Sequence, residues 1–163
     1  MPQPPPRPIS APERQARQRR AAQIARRMGF VGRVEYRHVY SQSGGAQYGL
    51  AAAPEEDLLT VYAEAFERDA DPDDFSLEAI LAHERGHQLL ARHPRLRRNL
   101  PRAWSGVSEE IVASLLGSLL VGAEKDQQDL LLKALFEAGN QGLEPERALL
   151  LVTELRGLLE KIL

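Results

Sequence analysis

The chain has 163 residues, of which 43% are hydrophobic and 27% are charged, and its formal net charge at pH 7 is −2. This size and composition are those of one ordinary globular domain, so two cooperating domains are not expected. The absence of cysteine excludes disulfides, thiolate metal sites, iron–sulfur clusters and a cysteine nucleophile. Any metal site must therefore be built from His, Asp and Glu.

The sequence gives no sign of a membrane span or a signal peptide. Its longest mostly apolar stretch, residues 111–123, is interrupted by Ser and Gly. That stretch is shorter than the roughly 20 residues needed to cross a bilayer. The first 30 residues lack the continuous apolar run of a signal peptide. We therefore expect a cytoplasmic protein with no membrane partner.

The small net charge hides an asymmetry along the chain. Residues 1–38 carry nine arginines against Glu13 and Glu35, a balance of +7, whereas residues 39–163 have a balance of −9. No zinc-finger spacing, recognition motif or aromatic interleaving accompanies the basic part. A solvated basic helix face is the favoured interpretation, and nucleic acid is not an expected partner. Nucleic-acid binding by a basic regulatory helix is the weaker alternative.

The first predicted elements are a tail and a helix. Prolines crowd residues 1–9, and because proline has no backbone donor we expect a disordered or extended tail there. A single domain over residues 10–163 is expected to follow. Ser10 and Glu13 have capping-box spacing, and apolar residues then recur at helical intervals until a glycine. These signals predict a helix near residues 11–28.

The hydrophobic period changes between residues 31 and 66. Alternating side chains predict a strand over residues 34–40, and Ser-Gly-Gly at residues 43–45 predicts a turn. Shorter strands are expected at residues 48–52 and 58–63. Together these segments predict a small antiparallel sheet.

Four helices are predicted after the sheet, giving a mainly helical α+β fold. Carboxylates at residues 71–74 favour the start of a central helix, and Pro94 ends it. Ser105 or Ser108 can cap a second helix that runs to about residue 122, and residues 124–138 form a third.

The last helix begins at residues 143–145 and carries an apolar stripe. A stripe of this kind favours a face packed on the domain, and the alternative is a dimer seam, which would make the protein a homodimer. The stripe consists of Ala148, Leu149, Val152, Leu155, Leu159 and Ile162.

The central helix contains a metal-binding motif. Residues 83–87, His-Glu-Arg-Gly-His, fit the pattern H-E-x-x-H. In a helix, His83 and His87 lie about 40° apart around the axis and about 6 Å apart along it, so both imidazoles can reach one ion. Glu84 then lies beside them. A solvated helix surface has the same residue types, so a third ligand from another element decides between the two interpretations.

Glu110 is the favoured third ligand. It shares a helix face with Ala113, Ser114 and Gly117, whose small size permits another helix to approach closely. The rest of this helix is apolar nearly all round, so a carboxylate on it needs a compensating partner, which a metal ion would supply. The alternative is a carboxylate that only stabilises the helix N-terminus. In the favoured assignment, the neighbouring Glu109 is solvated.

His93 is a weaker candidate for the third ligand. It follows His87 by six residues, which is the metzincin spacing, but that motif needs glycine where this chain has Leu90. No methionine follows Met28, so the metzincin Met-turn is also missing. His93 is therefore interpreted as a residue at the end of a helix, favoured there by the helix dipole.

These residues resemble those of the gluzincin metallopeptidases, including the minimal gluzincins and the group related to repressor-cleaving bacterial metalloproteases. Residues 110–117 are similar to the family signature Glu-x-x-Ala/Ser-Asp-x-x-Gly, and the resemblance covers roughly residues 55–122. It implies a zincin-like fold, with the sheet before the active-site helix, and Zn²⁺ held by His83, His87 and Glu110. It also implies Glu84 as the general base. A C-terminal helical extension would lie outside the resemblance.

The activity implied by the resemblance is hydrolysis of peptide bonds in a peptide or protein substrate. Zinc would lower the pKa of bound water toward 7, and Glu84 would take the proton and deliver it to the leaving amine. The family often has Asp where this chain has Ser114, a weaker partner for a ligand histidine. We expect the edge strand for an extended substrate to be residues 58–63.

One part of a peptidase site is not evident in the sequence. Gluzincins often stabilise the oxyanion with a His or Tyr beyond the third ligand, and none follows His93. The upstream substitutes are His38, Tyr40, Tyr48 and Tyr62, each favoured as a sheet residue. The alternative function is therefore a non-catalytic zincin-like module that binds metal or another protein.

Overall fold

The computed structural model describes residues 3–163, apart from the side chain of residue 103, and residues 1 and 2 of the predicted tail lie outside it. The mainly helical α+β fold is confirmed. Within the described part of the chain, no helix is both long and apolar enough to cross a bilayer. The helices are α1 (Ala11–Arg27), α2 (Ala63–Ala70), α3 (Leu77–Arg92), α4 (Arg95–Arg98), α5 (Glu109–Ser118), α6 (Glu124–Asn140) and α7 (Pro145–Ile162), and the strands are β1 (Arg33–Arg37), β2 (Ala46–Gly49) and β3 (Leu58–Tyr62).

The chain divides into two compact units, Met1–Leu81 and Ala82–Leu163, so the residues of α3 are shared between them. The single domain predicted over residues 10–163 stays a prediction. In the first unit, residues 3–9 form neither helix nor strand, and the Nε2 of His38 donates to the carbonyl oxygen of Arg7 over 2.7 Å.

Helix α1 begins where the sequence predicts. The Ser10 hydroxyl accepts a hydrogen bond from the Glu13 amide at 3.2 Å, which satisfies a backbone donor that the first helical turn leaves free. The helix buries Ala21, Ile24 and Ala25 in an apolar cluster with the sheet. The predicted helix over 11–28 is therefore confirmed to within one residue.

The three-stranded sheet is mixed, so the predicted antiparallel arrangement is wrong for one pair. The strand order is β1-β3-β2, with β1 parallel to β3 and β2 antiparallel to it. Strand β3 takes the centre because it is the most apolar strand, burying Leu59, Thr60 and Val61, whereas β1 alternates exposed and half-buried side chains. Residues 38–45 therefore cross to the far edge instead of forming a hairpin.

The central position of β3 also contradicts its predicted role as an edge strand for substrate, because both of its sides are paired. The outer edge of β1 is covered by one side chain of α1. The amide of Gln18 donates to the Val34 carbonyl oxygen at 2.5 Å and accepts from the Tyr36 amide at 2.6 Å. Gln18 thus satisfies the backbone groups that a neighbouring strand would otherwise pair.

The start of the central helix differs from the prediction. Residues 63–70 form α2, and residues 71–74 form a turn in which the Asp71 carboxylate accepts from the Asp73 amide at 2.9 Å. Helix α3 begins later, at Leu77, where the Ser76 hydroxyl accepts from the Ala79 amide at 3.1 Å. Asp and Ser favour turns and caps for the same local reason, and here the serine provides the cap.

The core of the second unit is built around α5. Every residue of that helix from Ile111 to Ser118 is buried, and α6 and α7 both pack against it. Four residues of the predicted stripe on α7 are buried, which confirms a packed face, whereas Leu149 is exposed. The homodimer stays a prediction. The buried stripe residues are Ala148, Val152, Leu155 and Leu159.

Candidate metal centre

Helix α3 brings two imidazoles together one turn apart. The rings of His83 and His87 have centroids 4.7 Å apart and are nearly perpendicular, and their Nε2 atoms are separated by 3.1 Å. Both residues lie well inside the regular helix α3, so the helical spacing alone places the two rings together. The predicted convergence of His83 and His87 is therefore present.

Helix α5 adds a carboxylate to the same point. One oxygen of Glu110 lies 2.8 Å from His83 Nε2, and the other lies 3.1 Å from His87 Nε2. Among the residues that the structure describes, these three form the one group of three or more His, Asp or Glu side chains whose ligand atoms converge, all within 4.8 Å of one another.

The second nitrogen of each ring is also held. His83 Nδ1 lies 2.9 Å from the Ser114 hydroxyl, and His87 Nδ1 lies 3.0 Å from a carboxylate oxygen of Glu109. Metal-bound histidines in proteins almost always have such a partner on the nitrogen that faces away from the ion. Ser114 thus occupies the expected place, whereas Glu109 contacts His87 instead of being only solvated.

Two glycines allow α5 to approach α3 this closely. A Cβ on Gly86 would lie 2.3 Å from the Ala113 carbonyl oxygen, and a Cβ on Gly117 would lie 2.9 Å from the Ala82 carbonyl carbon. Real Cβ atoms do not approach backbone atoms at such distances, so the two helices touch backbone to backbone at these positions. The small residues predicted on α5 are confirmed as a close-packing face, and Gly86 is their missed counterpart on α3.

The electrostatics of the cluster differ between its two rings. Burial lowers the pKa of His83 to about 4, although its hydrogen bond to Glu110 opposes the shift. Burial would also lower the pKa of His87, but the carboxylates of Glu110, Glu109 and Glu84 outweigh it and raise the pKa to about 9. Hydrogen bonds from both rings hold the pKa of the Glu110 carboxyl well below its ordinary value.

The cluster is buried on one side and open on the other. The side chains of His83 and His87 are 5% and 15% exposed, whereas that of Glu110 is 49% exposed. A structural zinc site is closed by four protein ligands, whereas a catalytic site has three and keeps one position accessible. Because Glu110 is half exposed, the side of the cluster that it forms faces solvent, as a catalytic site with three protein ligands requires.

The donor set and its spacing fit Zn²⁺. Two imidazole nitrogens and one carboxylate are ligands that zinc takes in catalytic sites. With bonds near 2.0 Å and tetrahedral angles, ligand atoms lie about 3.3 Å apart. The two Nε2 atoms, 3.1 Å apart, are close to this spacing, and the rings of His83 and His87 lie 2.8 Å and 3.1 Å from different oxygens of the Glu110 carboxylate.

The remaining predicted site residues have distinct positions. Glu84 is half-buried on α3, and its negative charge contributes to the raised pKa of His87, but it is outside the three-residue cluster. His93 lies just beyond the end of α3, is exposed and is also outside the cluster, as predicted.

The side chains of the four upstream candidates for oxyanion stabilisation all contact other residues of the first unit. Tyr48 donates to the Asp57 carboxylate at 2.7 Å, Tyr40 donates to Glu67, and Tyr62 lies near Gln47. His38 contacts the Tyr36 hydroxyl at 2.7 Å. These contacts support the interpretation of all four as structural residues of the sheet region.

Comparison with known proteins finds no matching family model, no matching curated protein and no matching solved structure.

Proposed function

We propose that the protein is a cytoplasmic zinc metallopeptidase of the gluzincin type, with a peptide or protein as its substrate. The observation that carries this proposal is the convergence of His83, His87 and Glu110, with Ser114 and Glu109 holding the outer nitrogens of the rings. A solvated helix surface would not need a carboxylate from a second helix at hydrogen-bond distance from both rings.

Each residue has a defined task in this proposal. Zn²⁺ held by the two imidazoles and Glu110 would lower the pKa of a water molecule and polarise a peptide carbonyl. Glu84, next to His83 on α3 and half-buried, accepts the proton of the attacking water and passes it to the leaving amine. Ser114 and Glu109 hold the ring planes so that both Nε2 atoms face the same point.

Metal content tests the ligand assignment. The purified protein, stripped with a chelator and dialysed against zinc, should hold one zinc per chain by atomic absorption. His87→Ala and Glu110→Ala should each lose it. His93→Ala is the matched control, because it removes an exposed imidazole outside the cluster. Zinc retained by His87→Ala and Glu110→Ala would refute the assignment.

Cleavage of a dye-labelled unfolded protein such as casein tests catalysis. Glu84→Gln should keep the zinc and lose at least about a hundredfold of the activity, since general base catalysis contributes roughly 10² to 10⁴ in rate. Glu78→Gln, the same change earlier on α3, should leave activity unchanged. Equal activity in the wild type and Glu84→Gln would remove Glu84 from the mechanism.

A non-catalytic metal-binding module is the second candidate. It is favoured by one observation: residues 82–163 contain no tyrosine and no histidine besides His83, His87 and His93, so no such side chain is available there to stabilise an oxyanion. A module of this kind would hold zinc in the first experiment and cleave neither casein nor a broad peptide library in the second.

A further inference from the structure

The solvent face of α1 carries arginines without acidic partners. Arg19, Arg26 and Arg27 are exposed and, together with the exposed Gln23, fall within an arc of about 100° around the helix axis. None of their side chains forms an ion pair or hydrogen bond within residues 3–163. We call Arg19, Gln23, Arg26 and Arg27 the basic stripe.

Ion pairs compensate four of the other seven arginines of the first unit, whereas Arg7, Arg14 and Arg37 have no acidic partner among the described residues and lie outside the stripe. Ion pairs with N–O distances of 2.7 to 3.6 Å join Arg17 to Glu13, Arg20 to Asp69, Arg33 to Glu35 and Arg68 to Asp74. The one acidic residue of α1 is thus already engaged on another side of the helix. Positive charge collects on the stripe although the chain as a whole has a net charge of −2.

The chemistry of the stripe fits phosphodiesters better than a lipid surface. Guanidinium groups make paired hydrogen bonds to phosphate oxygens, and the glutamine adds a neutral donor. An amphipathic helix that lies in a membrane surface also needs large apolar side chains beside its basic face. The large apolar residues exposed in the described part of the first unit are Val31, Val39 and Leu50, and none of them is on α1.

From these features, and in place of the solvated basic face favoured from the sequence, we infer that α1 is a nucleic-acid-binding surface, independent of the proposed peptidase activity. One phosphate of the nucleic-acid backbone is neutralised by each of Arg19, Arg26 and Arg27, and the base sequence is not recognised. Three such contacts predict that log K falls with log salt with a slope of about −2.7, and that Kd is about 10⁻⁶ to 10⁻⁴ M.

The test is fluorescence anisotropy of the full chain with two labelled probes of mixed sequence, a 20-base-pair DNA duplex and a 20-nucleotide single-stranded RNA. Between 50 and 200 mM KCl, the affinity should fall about 40-fold. Replacing all three arginines, as Arg19→Gln with Arg26→Gln and Arg27→Gln, should weaken binding at 50 mM KCl at least tenfold and flatten the salt slope. Binding of either probe supports the inference, and the stronger one identifies the preferred form.

The matched control removes three charges from the second unit. Arg95→Gln, Arg98→Gln and Arg102→Gln combined change the net charge equally at exposed positions, and binding should stay within about twofold of wild type. An equal loss in this control, or no saturable binding of either probe at 50 mM KCl, would overturn the inference. So would binding to phosphatidylserine vesicles alone. Circular dichroism melting verifies that both triple variants are folded.

Discussion

The surroundings of His83 and of His87 differ although the same helix supplies both rings. His83 is buried and its outer nitrogen faces the hydroxyl of Ser114, whereas His87 is more exposed and its outer nitrogen faces the carboxylate of Glu109. A hydroxyl donates or accepts, but a carboxylate only accepts. His83 can therefore carry its proton on either nitrogen, while Glu109 keeps a proton on the Nδ1 of His87.

This difference assigns the protons of the metal-free cluster. With its pKa lowered to about 4, His83 is neutral at pH 7, donates from Nε2 to Glu110 and accepts from Ser114. With its pKa raised to about 9, His87 is an imidazolium that donates to both carboxylates. Metal binding then needs a tautomer change in His83 and the loss of one proton from His87.

The largest expected effect comes from a change that disturbs the surroundings of His83 and His87 at once. Gly86→Ala places a Cβ 2.3 Å from the Ala113 carbonyl oxygen, so α5 must move away and carry Glu109, Glu110 and Ser114 with it. We expect loss of zinc binding and a free energy of unfolding lower by about 1–3 kcal/mol, the usual cost of overpacking. Zinc titration and urea unfolding measure the two effects.

Gly157→Ala is the control for replacing a helical glycine where no other helix is in close contact. It lies inside α7, and a Cβ there would meet nothing within 4 Å, so the change should raise the free energy of unfolding by about 0.5–1 kcal/mol and leave zinc binding intact. Full zinc affinity in Gly86→Ala would show that the close helix contact is not needed for the cluster.

A change of pH is expected to have the second largest effect on zinc affinity, because zinc binding requires the loss of a proton from His87. Between pH 6 and 8, His87 is protonated in the metal-free protein while His83 is neutral, so the zinc affinity should rise about tenfold per pH unit. The rise should level off near the His87 pKa of about 9. Calorimetry at pH 7 in two buffers of different ionisation enthalpy should report release of one proton per zinc.

His93→Ala should show the same pH dependence, because its imidazole is not part of the cluster. A zinc affinity that does not change between pH 6 and 8 would mean that His87 is already neutral, contrary to the effect of its three carboxylate neighbours.

Local signals in the sequence predicted the helices well and the sheet poorly. The start of α1 follows from the hydrogen bond of Ser10 with Glu13, only three residues away. The direction of β1 in the sheet depends on β3 lying between β1 and β2, which no short stretch of sequence encodes. The missed α2 was too short for its helical period to be separated from the preceding strand.

The same distinction applies to the candidate metal centre. His83 and His87 are fixed by a four-residue spacing, and Glu110 was identifiable because a carboxylate on an apolar helix needs a partner. The contact of Glu109 with His87 could not be foreseen, since it depends on how far α5 advances along α3. The signal that was present is Gly86, whose missing side chain permits that approach.

Ser114→Ala is expected to have the third largest effect, acting on the buried ring. The change leaves the Nδ1 of His83 without its partner at a position that water does not reach. An unsatisfied buried polar group costs about 1–3 kcal/mol in the free energy of unfolding. Zinc affinity should fall about tenfold as well, the low end for loss of a partner that orients a ligand.

Ser114→Thr keeps the hydroxyl and separates the lost hydrogen bond from general disturbance of the core. It should retain more of the zinc affinity than Ser114→Ala does, even if its extra methyl group lowers stability. Equal zinc affinities in Ser114→Ala and the wild type would show that the hydroxyl does not orient His83.

Glu109→Gln should have the smallest effect and should complete the contrast between the two rings. Its side chain is 56% exposed, so the amide stays hydrated and the free energy of unfolding should change by less than about 0.5 kcal/mol. Zinc affinity should still fall about tenfold, because an amide oxygen accepts from His87 Nδ1 more weakly than a carboxylate does. With one fewer carboxylate raising the His87 pKa, the plateau of zinc affinity should also begin at a lower pH.

Glu146→Gln removes an equivalent charge from the first turn of α7 and should change none of these quantities. A variant that lost stability but kept its zinc affinity would reverse the expected roles, making Glu109 a support of the helix N-terminus and leaving His87 to be oriented by Glu110 alone.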